Sequence, residues 1–238
     1  MRADKANLQK RFNADYVEEE FFGPKYVQSA FEFPKWPVIT GNDPGGISLM
    51  NWGLIPSWVR DAKGAIEIRS RTVNARAETL YKKPAFRQAA VSHHCLILAD
   101  GFFEFREVNG KKYPYFIHVG GRIFSIAGIY DQWADPSTGE IIPTFSVITT
   151  EANPLMEMIH NVKKRMPVIL PEEAEKEWLQ SGREGARFLK PFPDAEMEAW
   201  PVSRLITSRD PEKNSEKAQA RVAYPELSDT EPSQGSLF

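Results

Sequence analysis

The sequence predicts a mainly β fold of the α+β class: a curled antiparallel sheet, or a barrel-like one, with short peripheral helices. Three observations carry that expectation. From His93 onward, apolar and polar residues alternate in HHCLILA, FFEFREV, YPYFIHV, IFSIAGIYDQW and TFSVITT, and a period of two marks half-buried strands. Between these runs stand Asp100-Gly101, Asn109-Gly110, Gly120-Gly121 and residues 136–139; Asn-Gly and Gly-Gly tolerate the positive φ of tight hairpin turns. Strands so closely spaced leave edges to protect, which favours a sheet that curls or closes. A chain of 238 residues is long enough to bury about 70–75% of its unfolded surface as one domain, with no disulfide or metal.

The remaining elements follow in order. Residues 4–12 read as a short helix anchored by Ala6, Leu8 and Phe12, after which the chain turns extended and aromatic as far as Phe31. Pro34, Pro37 and the turn Asn42-Asp43-Pro44-Gly45-Gly46 lead into the apolar strand ISLMNWGLIP, closed by Pro56, a hairpin feeding a loop. Residues 60–90 are polar and irregular and read as a long functional loop, with short helices near 78–81 and 83–89. Beyond the five strands, Asn153-Pro154 caps a helix over 155–159 and RMPVIL is a further strand. Pro171 with EEAEKEWLQ starts an acid-led helix, and WPVSRLI is the last strand candidate. After Thr207 the composition shifts to charge, Pro and Ser. The expectation is a single domain over residues 1–206 and a polar tail over 207–238, either surface-hugging or disordered.

Composition narrows the function classes. Hydrophobic residues at 42% and charged residues at 26% match globular usage and exclude collagen, coiled coil and wholesale disorder. No run approaches the roughly 20 apolar residues of a membrane span, and MRADKANLQKRF lacks the apolar centre of a secretory signal. A cytoplasmic protein with no membrane partner is expected. One cysteine, Cys95, and four histidines exclude a multi-cysteine zinc site and leave no metal or cofactor to expect. Gly-rich phosphate loops, GxSxG and HExxH are absent from the sequence, so the familiar nucleotide, serine-hydrolase and zinc-protease readings have no support. The net charge of −2 conceals a basic stretch: residues 58–90 carry eight bases against three acids, or +5. Such a stretch attracts phosphate locally, or is simply a solvated loop.

Several residues suit chemistry. Glu104 lies in GFFEF, and alternation places it on the face of Phe102, opposite Phe103 and Phe105. A carboxylate among aromatics pays a desolvation cost that raises its pKa towards values useful for proton transfer; the other reading is an acid facing solvent or paired with an arginine. His160 ends NPLMEMI just before Lys163-Lys164-Arg165. It suits an acid or base, or a capping histidine. Asn74 and Arg76 in VNARAET offer an amide and a guanidinium to a phosphate or sugar, or anchor a loop. Trp52 and Trp58 in WGLIPSW sit beside the basic stretch, where aromatics stack unpaired bases, although tryptophans flanking a proline turn also serve cores. Cys95, among apolar neighbours, reads as an inert thiol; His93, His94 and His118 read as structural or surface groups.

These residues fall into an order. WGLIPSW (52–58), NARAET (74–79), CLILADGFFEF (95–105), FSIAGIYDQW (124–133), TFSVITTEAN (145–153), Ile159-His160 and RMPVIL (165–170) together resemble the SOS response-associated peptidase (SRAP) family over residues 10–206. The resemblance implies a curled β domain whose basic groove binds single-stranded DNA carrying an abasic site, with no obligate protein partner, placing the protein at the nucleoid when bound. It implies covalent chemistry as well. Removal of the initiator Met exposes an N-terminal cysteine whose amine and thiol capture the aldehyde of the abasic sugar as a thiazolidine crosslink. By motif, Asn74 orients the sugar or amine, Glu104 exchanges protons during Met removal and imine formation, and His160 helps open the deoxyribose ring. Arg71, Arg76 and Arg165 hold phosphates, and Trp52 offers an apolar surface to a base.

One departure stands out: the chain begins Met1-Arg2-Ala3, without the family's cysteine after the initiator. Cys95, its nitrogen in a peptide bond, cannot form a thiazolidine. Because Gln9-Lys10-Arg11-Phe12 resembles the segment just downstream of that cysteine, the expectation is that the sequence starts at an internal Met. The alternative is a relative that binds DNA without reacting. A peptidase acting on other proteins needs a nucleophile or metal that the sequence does not supply.

Overall fold

The edge problem posed by so many strands is solved by closure. The structure is a computed structural model that describes residues 4–17 and 23–228. In chain order these form α1 (Lys5–Phe12), β1 (Asp15–Tyr16), β2 (Lys35–Thr40), β3 (Gly46–Trp52), α2 (Ala62–Arg69), β4 (Asn74–Arg76), α3 (Ala89–Ser92), β5 (His94–Ala99), β6 (Phe102–Val108), β7 (Lys111–Val119), β8 (Phe124–Ala134), β9 (Ile141–Glu151), α4 (Pro154–Ile159), β10 (Arg165–Pro167), β11 (Ile169–Leu170), α5 (Glu175–Gln180), β12 (Met197–Pro201) and α6 (Pro225–Ser228), with 3-10 turns between them. Strands β3, β2, β5, β8 and β9 pair in that order, and β3 returns to β9 through Asn51↔Thr144 and Trp52↔Phe145. The result is a closed five-stranded barrel, as a mainly β, barrel-like reading requires. Its closing seam is parallel and the other four are antiparallel, so the barrel is mixed rather than purely antiparallel. A parallel seam joins residues about 90 positions apart and leaves no turn signature between them.

The strand run from His93 to Thr150 divides between two sheets. β5, β8 and β9 stay in the barrel, while β6 and β7 leave it and pair with β12 in a second, three-stranded antiparallel sheet. The crossing is at Gly101. A Cβ there would lie 2.3 Å from Phe116 Cζ and 2.9 Å from the Ile117 carbonyl oxygen, so the chain passes this close to β7 only without a side chain. The two sheets share one core: Ile39, Ile47, Ile97, Phe145 and Ile148 from the barrel pack with Tyr113, Tyr115 and Ile117 from the inner face of β7.

Caps explain where the helices start. Asn153 Oδ1 accepts from the Met156 N–H at 2.8 Å and Pro154 fills the first turn of α4, as the Asn-Pro pair predicts. Sequence reading took residues 60–90 for an irregular loop, yet α2 lies within them. Asp61 caps it by accepting from the Gly64 N–H at 2.7 Å. Its apolar face is only Ala65 and Ile68, packed on Ile55 and Trp133, too narrow a stripe to announce a helix. WPVSRLI is a strand only as far as Pro201 and continues as a 3-10 turn over Arg204–Thr207. Packing goes on past residue 206. Ala218 is fully buried with Phe116 and Val202 on the outer face of the second sheet, and Leu227 is buried in the main core. Residues 229–238 lie outside the described residues.

Candidate functional site

β9 gives one edge to β8 and, beyond it, to β10 at residues 149–151. Along its other edge the chain returns twice, β3 at residues 144–145 and β4 at 147–149. One strand, flanked on both sides, therefore gathers Trp52, Asn74, Arg76 and Arg165, which sequence places far apart. In β4 the register is Asn74↔Val147, Ala75↔Ile148 and Arg76↔Thr149. Ala75 points into the core, fully buried, while Asn74 and Arg76 are exposed on the opposite face, as strand alternation demands.

Glu104 comes from β6 and His160 from the end of α4. The His160 N–H donates to the Met156 carbonyl at 2.7 Å, and the following turn closes when Lys164, at φ 49°, donates from its N–H to the His160 carbonyl at 2.7 Å. Asn161 ties that turn to β6. Its Nδ2 donates to the Glu107 carbonyl at 2.8 Å and its Oδ1 accepts from the Glu107 N–H at 3.0 Å, so one side chain imitates a strand pairing. The outcome is His160 Nδ1 at 2.9 Å from the Arg165 carbonyl oxygen and 3.6 Å from Glu104 Oε1. A carbonyl only accepts, so Nδ1 carries a proton in this arrangement and Nε2 is the nitrogen left to accept one. The Glu104 side chain is 28% exposed. Burial raises its pKa above the usual carboxylate range, against the opposing pull of His160, the Phe105 N–H and Lys163. A carboxyl that keeps its proton longer beside a histidine with a free lone pair forms an acid–base pair.

Arg165 is a strut as well as a cation. Its Nη1 and Nη2 donate to the two carboxylate oxygens of Glu78 at 2.5 and 3.0 Å, and Nη2 also donates to the Thr149 carbonyl at 2.6 Å. That fork holds Glu78 below the usual carboxylate range. Glu78 sits in the turn directly after Arg76 and its β4 strand, so the contacts run without a break from Asn74 and Arg76 through Thr149 and Arg165 to His160 and Glu104. Sequence reasoning missed Glu78, Thr149 and Asn161. NARAET itself held Glu78, whereas no local pattern distinguishes Thr149 or Asn161.

The other candidates divide between frame and surface. Trp52 packs on Trp36 and Phe145, and its Nε1 donates to the Val73 carbonyl at 2.9 Å; its indole is part of the wall beneath the site. Arg71 is exposed on the turn after α2, and Trp58 is 52% exposed nearby. Arg69, counted with the basic stretch, is instead half-buried: it donates to the Trp52 and Phe33 carbonyls at 3.1 Å and to Asn51 Oδ1 at 3.3 Å. Cys95 is fully buried, and burial pushes its thiol well up. His94 is buried and stacked on Trp178 at 4.0 Å. His93 lies 4.0 Å from Asp131, and buried His118 lies 3.5 Å from Glu198. Among the described residues no cluster of His, Cys, Asp or Glu has the makings of a metal site, and no helix is long and apolar enough to cross a membrane.

Comparison with known proteins matches residues 1–209 to the family model "SOS response associated peptidase (SRAP)". The abasic site processing protein YoqW of Bacillus subtilis is 38% identical over 219 residues, covering 88% of this chain and 92% of that protein. The abasic site processing protein HMCES of Gallus gallus is 32% identical over 185 residues, covering 67% of this chain and 53% of that protein. Among solved structures, a crystal structure from Bacteroides thetaiotaomicron superposes with a TM-score of 0.87 at 38% identity, covering 94% of this chain and 98% of that one. One from Bordetella bronchiseptica gives 0.72 at 30% identity, over 85% and 97%.

Proposed function

The chain belongs to the SOS response associated peptidase (SRAP) family, and from that premise we propose that it binds single-stranded DNA at abasic sites on the surface beside the carboxyl-terminal half of β9. The observation that carries this reading is the convergence around the end of β9 of Asn74 and Arg76 from one flank and Arg165 from the other, with the Glu104–His160 pair at 3.6 Å. Exposed Arg76 and Arg71 meet phosphates, and Asn74, on the same face of β4 as Arg76, orients the abasic sugar. His160 Nε2, the nitrogen left to accept, takes a proton from the sugar hydroxyl as the ring opens to its aldehyde, and Glu104 supplies one where oxygen leaves. Names of relatives as abasic site processing proteins agree with this role.

The covalent step is a second part of the proposal. In thiazolidine formation the aldehyde carbon bonds to the amine nitrogen and the thiol sulfur of one cysteine, and its oxygen departs as water. Buried Cys95 offers no free amine, and Met1-Arg2-Ala3 offers no thiol. Crosslinking therefore requires a cysteine presented at the amino terminus, and the acid–base pair serves it there. The test is a denaturing gel on single-stranded DNA with one abasic site, comparing this chain with a version preceded by Met-Cys. A crosslink in the second alone is expected. Glu104→Ala or His160→Ala in that version should slow the crosslink about a hundredfold and leave DNA binding intact. A crosslink from neither version, with binding retained, reduces the function to non-covalent recognition.

A further inference from the structure

Glu78 stands where a phosphate would be expected. It is an acid in the middle of a basic stretch, on the turn after Arg76, and both of its carboxylate oxygens are engaged by the Arg165 guanidinium at 2.5 and 3.0 Å. A planar fork of this kind fits a carboxylate and a phosphate equally well. The two partners are unequally held. Arg165 is 17% exposed, its backbone is paired in β10, and Nη2 is also fixed by the Thr149 carbonyl at 2.6 Å. The Glu78 side chain is 52% exposed, and besides Arg165 it is held only by its own backbone N–H and the attraction of Arg76. If the pair opens, the glutamate is the partner that swings into water. A phosphate that takes the fork replaces one anion by another, so the exchange never leaves the mostly buried guanidinium unpaired. A DNA strand that reaches Arg165 with Glu78 still in place would set phosphate against carboxylate, and a buried Arg165 Nε without an acceptor among the described residues adds an unmet donor on the same guanidinium.

We propose that Glu78 is a phosphate stand-in: in the free protein it occupies the Arg165 fork, and DNA binding requires that it yield the fork to a backbone phosphate. Glu78 is thus an affinity-setting residue of the site. It keeps Arg165 neutralised and correctly aimed in the absence of DNA and exacts a competitive cost from any strand that does not place a phosphate there. The inference rests on the reading of this surface as a DNA-binding site.

The experiment measures the affinity of the full chain for a short single strand carrying a tetrahydrofuran abasic analogue, across a range of salt. Glu78→Gln is expected to bind about three- to tenfold more tightly at low salt. Its log–log salt slope should steepen by about one, because no cation is taken up by a released carboxylate. Loss of a negative charge anywhere near DNA gives some tightening, so the same change is made in an Arg165→Gln background. There Glu78→Gln should keep only that general tightening, well short of its gain with Arg165 in place, since the fork it blocks is gone. Equal or weaker binding by Glu78→Gln, at an unchanged melting temperature, overturns the proposal, and so does tightening as large without Arg165 as with it. If the parent chain fails to bind the strand at all, the DNA-binding reading falls and this inference with it; parent binding with an unresponsive Glu78 removes the inference alone.

Discussion

A carboxyl at position 104 is held in two opposing ways: burial favours its protonated form, and the imidazole 3.6 Å away favours its charged form. Burial prevails, and the folded-state pKa lies above the ordinary value. The stability linked to this group is then fully present below the unfolded pKa and is lost as pH rises through the folded one, because the folded state holds the proton that the unfolded state has released. Glu104→Gln should therefore raise the melting temperature by about 2 °C at pH 7 and by nothing at pH 4, read by thermal denaturation at both pH values. A gain at pH 4 as large as at pH 7 would show that ionisation is not the cause. Residues 69 and 71 show how far single positions could be read from the sequence. Both are arginines of one basic stretch, yet Arg69 braces three backbone and side-chain acceptors around Gly53 while Arg71 faces solvent. Gly53 makes the difference: at φ 96°, with a would-be Cβ 2.6 Å from Arg69 Cγ, it leaves the room Arg69 fills. No pattern local to residues 69–71 contains that approach.

Between elements, the His160 turn is fastened to β6 by a single side chain. Asn161 makes both of its hydrogen bonds to the Glu107 backbone, three residues along from Glu104. Asn161→Ala should release the turn, slowing crosslink formation about tenfold in a chain carrying an N-terminal cysteine. The accompanying stability loss is about 1 kcal/mol, or roughly 2–4 °C in melting temperature. A denaturing-gel time course and a melting curve measure both; a melting change with no change in rate would mean that the turn needs no fastening. Strand positions were legible because alternation and Asn-Gly are local signals, as β6, β7 and the turn at Asn109-Gly110 show. What joins them was not. The parallel returns of β3 and β4 to β9 are contacts between distant segments, and they are what assemble the site.

Across the molecule, the segment after Thr207 is part of the packing. Trp200 Nε1 donates to the Gln219 carbonyl at 2.8 Å, the Tyr224 hydroxyl donates to the Val202 carbonyl at 2.8 Å, and the ring of Tyr224 meets Tyr113 at 5.1 Å. Removing residues 208–238 should uncover Phe116, Val202 and Ile206 and lower the melting temperature by more than about 5 °C, with self-association on gel filtration. A monomer melting at the parent temperature would refute that role. The composition of this stretch, rich in charge, Pro and Ser, concealed the few buried side chains, Ala218 and Leu227, that seat it.

The shared strand β9 has a thermal consequence. Because Trp52, Asn74, Arg76 and Arg165 are all registered on one strand that is also the seam closing the barrel, the backbone that carries these four cannot come apart while the barrel stays shut. Recognition and fold form one cooperative unit. On heating, abasic-DNA binding should hold nearly constant and then vanish within the unfolding transition itself, with the amides of residues 147–149 among the last to exchange with solvent.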